Sequence, residues 1–199
     1  MLAAAVRRAG GVPVTAPVVA DRPGALLAAL EPHLAGADLV LTSAGVSEGA
    51  YDVVKADLAD AGVTFARVAM QPGKPQGFGL IGEDRVPMIM LPGNPVSAYV
   101  SFQCFVRPVI RKLMGVEPLN HHPVRCVAGS VMRSAKGKLQ FGRAIVREDN
   151  GRRLVDLVGG HSSHLLGDLA ACNALVLLGE DTEVVDAGER VMVWMLDND

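Results

Sequence analysis

Apolar positions along the first 115 or so residues alternate between helical and strand-like spacing. Residues 2–9 have the composition of a helix that stops at Gly10-Gly11, and residues 12–19 then read as a strand. Asp21 stands where an N-cap belongs, with Pro23 just inside, ahead of a Leu/Ala helix over residues 25–34 that Pro32 is expected to end or bend. Residues 38–42 form a short apolar strand that runs into the small-residue loop 43–49 and a helix from 52 to about 61. The next strand is 64–70. A loop with two prolines and two glycines, 71–77, precedes strands at 78–81 and 86–91, and after the tight break at 92–95 residues 96–114 read as one long helix. Strand, glycine-rich loop and helix in repetition predict an α/β domain: a mostly parallel sheet covered by helices on both faces, with its sites at the carboxyl ends of the strands.

From about residue 119 the period shortens. Residues 124–131, 138–147, 152–158, 174–178 and 190–196 are brief β-rich runs separated by turn residues, and Asp149-Asn150-Gly151 is a hairpin signal, because Asn-Gly supplies the positive φ angles of a tight turn. Five such runs predict a small all-β, barrel-like or sandwich domain. The expected division is 1–118 for the α/β domain and 119–199 for the barrel.

Composition narrows the class. The 199 residues are 50% apolar and 20% charged, enough apolar material for a buried core, and the net charge of -2 with no block of like sign argues against a nucleic-acid or membrane surface. Cys104, Cys126 and Cys172 are too few and too scattered for a disulfide framework, which fits a reducing, cytoplasmic setting. The longest apolar stretch, 98–110, is interrupted by Gln103, Arg107 and Pro108 and is too short to span a bilayer. The arginines Arg7 and Arg8 follow the apolar start instead of preceding it, unlike a signal peptide.

Three loops carry the candidate chemistry. Ser43 to Gly49 combines two hydroxyls and two glycines ahead of a helix, where backbone N–H groups and the helix dipole favour an anion. The stiff loop 71–77 presents Lys74 between prolines, as a point charge for a phosphate or an oxyanion. The break 92–95 contributes Asn94 as a cap and leads to Ser97 in the first turn of the next helix. Asp52 suits either helix capping or a magnesium ion bridging phosphates. Taken singly, the first loop reads equally as a plain strand-to-helix connection, while the other two read first as an exposed lysine in a turn and as simple N-capping. His161 and His164 lack a third ligand for zinc and read as polar loop residues.

In chain order the loops are far more specific. Thr42-Ser43-Ala44-Gly45-Val46-Ser47-Glu48-Gly49-Ala50-Tyr51-Asp52, then Pro72-Gly73-Lys74-Pro75 with Phe78-Gly79, then Leu91-Pro92-Gly93-Asn94-Pro95-Val96-Ser97 with Phe105-Val106-Arg107-Pro108 resembles the molybdopterin molybdenumtransferase (MoeA) family, which includes the gephyrin E domain. The tail, with Gly160-His161-Ser162-Ser163-His164 and Ala171-Cys172-Asn173-Ala174, is similar to that family's C-terminal barrel. The resemblance implies a three-layer molybdopterin-binding domain followed by a small barrel. It implies an enzyme of molybdenum cofactor biosynthesis that inserts molybdate into adenylylated molybdopterin with release of AMP, assisted by Mg2+ or another divalent cation, and homodimeric in its full-length form. Carried over by position, Ser43, Gly45, Ser47, Gly93 and Asn94 would bind the pterin nucleotide. Lys74, Pro75, Ser97, Arg143 and Ser163 would bind molybdate, the last two from the barrel, with Lys74 and Asp52 catalytic and Asp52 the metal ligand.

Three positions depart from the family pattern: Gln71 where Lys is usual, Ala44 where Gly is usual, and Ala50 where an acid is usual. Family members also begin this domain with a strand and a Thr-Gly-Asp-type loop, whereas this chain starts inside the first helix, so the sheet is expected to lack its first strand. Two other readings stand beside the first. A molybdopterin adenylyltransferase shares the α/β domain, although the β-rich tail and the Lys74 loop disfavour it; a non-catalytic pterin-binding module would bind without turnover.

Overall fold

Residues 86–91 divide their side chains between two apolar cores on opposite faces of one strand. Met88 and Met90 pack with Val40, Val63 and Ile81, while Ile89 and Leu91 pack with Ala98, Phe102 and Val106. A computed structural model of the chain describes residues 1–20, 22–46, 55, 58–160 and 162–196. These fall into two units, Met1–Val68 with Gly73–Glu117, and Ala69–Pro72 with Pro118–Asp199.

The first unit holds helices α1 (Leu2–Arg8) and α2 (Ala25–Leu34) and strands β1 (Val40–Ser43) and β2 (Val63–Arg67). Strands β4 (Pro75–Ile81) and β5 (Val86–Leu91) and helices α3 (Pro95–Ser101) and α4 (Arg107–Leu113) complete it, and β3 (Met70–Gln71) belongs to the second unit. The sheet order is β1-β5-β4-β2. It is mixed instead of mostly parallel: β1 runs parallel to β5, but β4 is antiparallel to both β5 and β2. The reason is local. β4 and β5 are joined by the tight turn 82–85, and only an antiparallel pair can close across so short a link. Close approach of β2 to β4 depends on Gly79, where a Cβ would lie 2.5 Å from the Gly62 carbonyl oxygen.

Several expected elements change. Residues 12–19 form no strand: Pro13 and Pro17 remove two ladder donors, no partner strand lies beside them among the described residues, and Val12, Val14 and Val18 are more than four-fifths exposed. Gly24, at φ 67, caps α2 in place of Asp21, which lies outside the described residues, and the helix runs two residues past Pro32 before ending. The long helix 96–114 is three consecutive pieces, with a π-helical segment, Phe102–Val106, between α3 and α4. There the Arg107 N–H donates to the Phe102 carbonyl five residues back, a slip that accommodates Pro108, which has no N–H to give. Pro75, Gln76 and Gly77 are strand, not loop.

In the second unit, β6 (Val124–Ala128), β8 (Leu139–Asp149), β9 (Arg152–Leu157), β10 (Ala174–Leu178) and β12 (Arg190–Met195) follow the five expected runs. Their order is β10-β12-β6-β9-β8, and a further β10–β8 pairing closes them into a five-stranded barrel. The eleven-residue β8 makes closure possible by pairing with β10 along Gln140–Ala144 and with β9 along Ala144–Asp149. The hairpin forms as its sequence demands, with Asn150 at φ 50 and Gly151 at φ 74. β3 adds parallel to β8, a short pair β7 (Met132–Arg133) and β11 (Val184–Val185) lies outside the barrel order, and α5 (Leu166–Ala171) is a helix the period analysis does not anticipate. No helix among the described residues is long and apolar enough to cross a membrane.

Two expectations for measurement follow from this backbone and its burial. Ala44 sits at φ 81, a left-handed conformation that costs a residue with a Cβ about 1–2 kcal/mol, partly offset by the greater freedom of glycine in the unfolded chain. Ala44→Gly therefore raises unfolding stability by about 0.5–1 kcal/mol in a denaturant titration; a loss of stability contradicts the strain. The three cysteines are free thiols, and burial pushes Cys104 up to about 12. A group so raised is almost wholly protonated at pH 8, so Cys104 is alkylated by iodoacetamide at about a hundredth or less of the rate of an open thiol, and faster as pH rises. Peptide mass spectrometry checks this, and prompt labelling at pH 8 contradicts it.

Candidate functional site

Strand direction decides which loops meet. Because β1 and β5 are parallel, with Ser43 opposite Leu91, the loops that follow them leave the same end of the sheet side by side. The Ala44 N–H extends this ladder by donating to the Leu91 carbonyl at 2.9 Å, and a Cβ at Gly93 would come 3.3 Å from that of Ala44. Ala44 and Gly45 both have positive φ, 81 and 82, so the chain turns sharply as it leaves β1. Ser43, Gly93 and Asn94 are exposed here, and Gly45 is half-buried.

The Lys74 loop reaches the same end by the opposite route. It precedes β4, and since β4 runs antiparallel to β5, with Gly77 opposite Met90, the residues before Gly77 lie beside those after Met90. The backbone of this loop is held on two sides. The Val68 N–H donates to the Lys74 carbonyl at 2.7 Å, and the Gln76 side-chain amide donates to the Gly73 carbonyl at 2.5 Å. Gly73 is buried and Pro75 half-buried, while Lys74 is exposed. Ser97 lies within α3 and is buried. An exposed ammonium, a hydroxyl and a turn of exposed backbone at one sheet end form a donor set suited to an oxyanion.

Arg143 and Ser163 belong to the second unit. Arg143 is buried on β8, donating to the carbonyls of Ser162, at 2.9 Å, and of Gly160. It also lies 3.8 Å from the Asp168 carboxylate, and its Nε has no hydrogen-bond partner among the described residues. The guanidinium thus spans the loop that carries the half-buried Ser163. Within that loop the Ser162 hydroxyl is 2.7 Å from His164 Nδ1. Gln71 is paired in β3 opposite Gln140.

Ser47, Asp52 and His161 lie outside the described residues, as do Ala50 and the rest of 48–51. Among the described residues no group of three or more His, Cys, Asp or Glu is arranged to hold a metal ion. Reading the sequence for chemistry missed Gln76 and Ser101, whose side chains bond at 2.6 Å. The available signal was the spacing of Ser97 and Ser101, four apart on an otherwise apolar helix and therefore on one face.

The chain is similar to known proteins along almost its whole length. Residues 1–112 match a family described as "Probable molybdopterin binding domain", and residues 125–196 match the "MoeA C-terminal region (domain IV)". Molybdopterin molybdenumtransferase 2 of Mycobacterium tuberculosis is 44% identical over 98% of this chain and 49% of its own length. The molybdopterin molybdenumtransferase of Haemophilus influenzae is 38% identical over 79% of this chain and 39% of its own. The chain spans about half the length, or less, of these curated relatives. Among solved structures, a molybdenum cofactor biosynthesis protein from Pyrococcus furiosus superposes with a TM-score of 0.76 at 28% identity, covering 98% of this chain and 62% of that one. With one family model matched over more than half of its residues and a relative 44% identical over 98% of its length, the chain belongs to the molybdopterin molybdenumtransferase (MoeA) family.

Proposed function

We propose that this chain supplies the anion-handling part of a molybdenum-insertion enzyme, one that takes adenylylated molybdopterin and molybdate and releases AMP. The observation that carries the reading is the meeting of the Ser43–Gly45, Gly93–Asn94 and Lys74 loops at one end of the sheet. Molybdate is a compact dianion, and a lysine on a doubly tethered loop offers it a charge whose position costs little to organise on binding. The glycines beside Ser43 let a pterin nucleotide come close to backbone N–H groups, the usual means by which such loops cradle phosphate. In the same reading Ser47 joins this loop, Pro75 and Ser97 complete the molybdate donors, and the protein acts in the cytoplasm as a homodimer. A divalent cation such as Mg2+ would be held by Asp52 and would supply positive charge to offset that of the nucleotide phosphates.

The reading is tested by molybdate-dependent release of AMP from adenylylated molybdopterin. Consumption of ATP instead would favour an adenylyltransferase, and binding without turnover a non-catalytic module. Lys74→Ala weakens molybdate binding about ten- to a hundredfold in a calorimetric titration, the equivalent of about 1.5–3 kcal/mol for one charge-assisted contact. Lys112→Ala, in the last turn of α4, changes it by less than about twofold, since an exposed charge at a helix end contributes a few tenths of a kcal/mol. Equal affinities in the two variants remove Lys74 from the site.

Arg143 and Ser163 are assigned to molybdate in this reading as well. Arg143→Lys keeps the charge but cannot span the Gly160 and Ser162 carbonyls with a planar fork. The expected outcome is at least about a tenfold fall in molybdate-dependent rate. An unchanged rate withdraws both residues from the reaction.

A further inference from the structure

We infer that Gln76 is a positioning residue that sets the place of Lys74, an inference that rests on the anion-site reading above. Gln76 is the second residue of β4 and only 9% exposed. Its Nε2 donates two hydrogen bonds, to the Gly73 carbonyl at 2.5 Å and to the Ser101 hydroxyl at 2.6 Å. The orientation of the amide follows from chemistry: a backbone carbonyl can only accept, so the nitrogen must face Gly73. Ser101 is fully buried at the last position of α3, immediately before the π-helical segment, and it shares a helix face with Ser97. One side chain therefore ties the residue preceding Lys74 to the helix that carries Ser97. The Val68–Lys74 bond holds the other side of the loop.

The other half of the same amide argues against simple core filling. Gln76 Oε1 is buried with no hydrogen-bond partner among the described residues. An apolar side chain of similar length would fill this space without burying an unpaired amide oxygen, but it would leave the Gly73 carbonyl and the Ser101 hydroxyl without their donor. What the glutamine adds over such a side chain is the grip on Gly73 and Ser101. That grip limits the excursions of the Lys74 backbone, and an ammonium on a short tethered loop loses less freedom when an anion binds.

The inference separates two properties that a purely structural role would move together. In the full chain, Gln76→Met fills the space and removes the unpaired oxygen but leaves the Gly73 carbonyl and the Ser101 hydroxyl without their donor, so the protein stays folded with a lowered melting midpoint. The Val68 amide, whose N–H donates to the Lys74 carbonyl, then exchanges with deuterium at least about tenfold faster, and the KM for molybdate rises about tenfold, with kcat and the KM for the pterin substrate within about twofold. Ser101→Ala, which leaves the Gly73 bond in place, gives an intermediate change in both and serves as the second variant if Gln76→Met folds poorly. Unchanged exchange in both variants overturns the positioning role, and so does faster exchange with an unchanged KM for molybdate while Lys74→Ala remains impaired. If Lys74→Ala itself binds molybdate normally, it is the anion-site reading that fails, and the exchange rates still report whether Gln76 holds the loop.

Discussion

The antiparallel return of β4 along β5 is the constraint on which the site depends. In a wholly parallel sheet a loop that precedes a strand emerges at the amino end, remote from the loops that follow β1 and β5. Reversing β4 puts Gly77 opposite Met90 and carries Gly73 to Pro75 past the carboxyl end of β5. The reversal is sustained by the tight 82–85 turn and by Gly79, whose missing Cβ lets β2 lie close against β4. A fold that looks like a compromised parallel sheet is therefore the arrangement that brings the Lys74 loop to the sheet end shared by the loops after β1 and β5.

Holding that loop there requires polar groups in otherwise apolar surroundings, and the first unit accepts the cost. Gln76 is buried with one of its polar atoms unpaired, and the Thr42 hydroxyl at the end of β1 is likewise without a partner among the described residues. Each such atom opposes folding by about 1–3 kcal/mol, a substantial fraction of the about 5–15 kcal/mol by which a domain is stable. Packing of Met88, Met90, Ile89 and Leu91 into cores on both faces of β5 offsets it. Ala44 adds backbone strain at the neighbouring turn.

The second unit solves a similar problem by different means. Closing five strands into a barrel removes sheet edges, and the length of β8 supplies the extra partner. The buried Arg143 then holds the long return from β9 to α5 through two carbonyls and the Asp168 carboxylate, a use of the guanidinium fork that a lysine cannot imitate. Between α5 and β10, the Asn173 side chain pairs with both the N–H and the carbonyl of Val146, at 2.8 and 3.0 Å, standing in for a strand neighbour.

The sequence by itself determined the local elements and the order of the loops. Apolar periodicity located α1, β1, β5 and the barrel strands, the Asn150-Gly151 turn was legible because only a few residues tolerate positive φ, and the three loops in order carried the family resemblance. Strand direction was decided only by tertiary structure, because a short apolar run has the same spacing whichever way its neighbour points. For the same reason residues 12–19, with the right composition for a strand, remain outside any ladder: a strand exists only with a partner. The pairing of Gln76 with Ser101, 25 residues apart, and the span of Arg143 over Gly160 and Ser162 were equally hidden. A single polar residue at a buried position announces its partner only once the chain has folded around it.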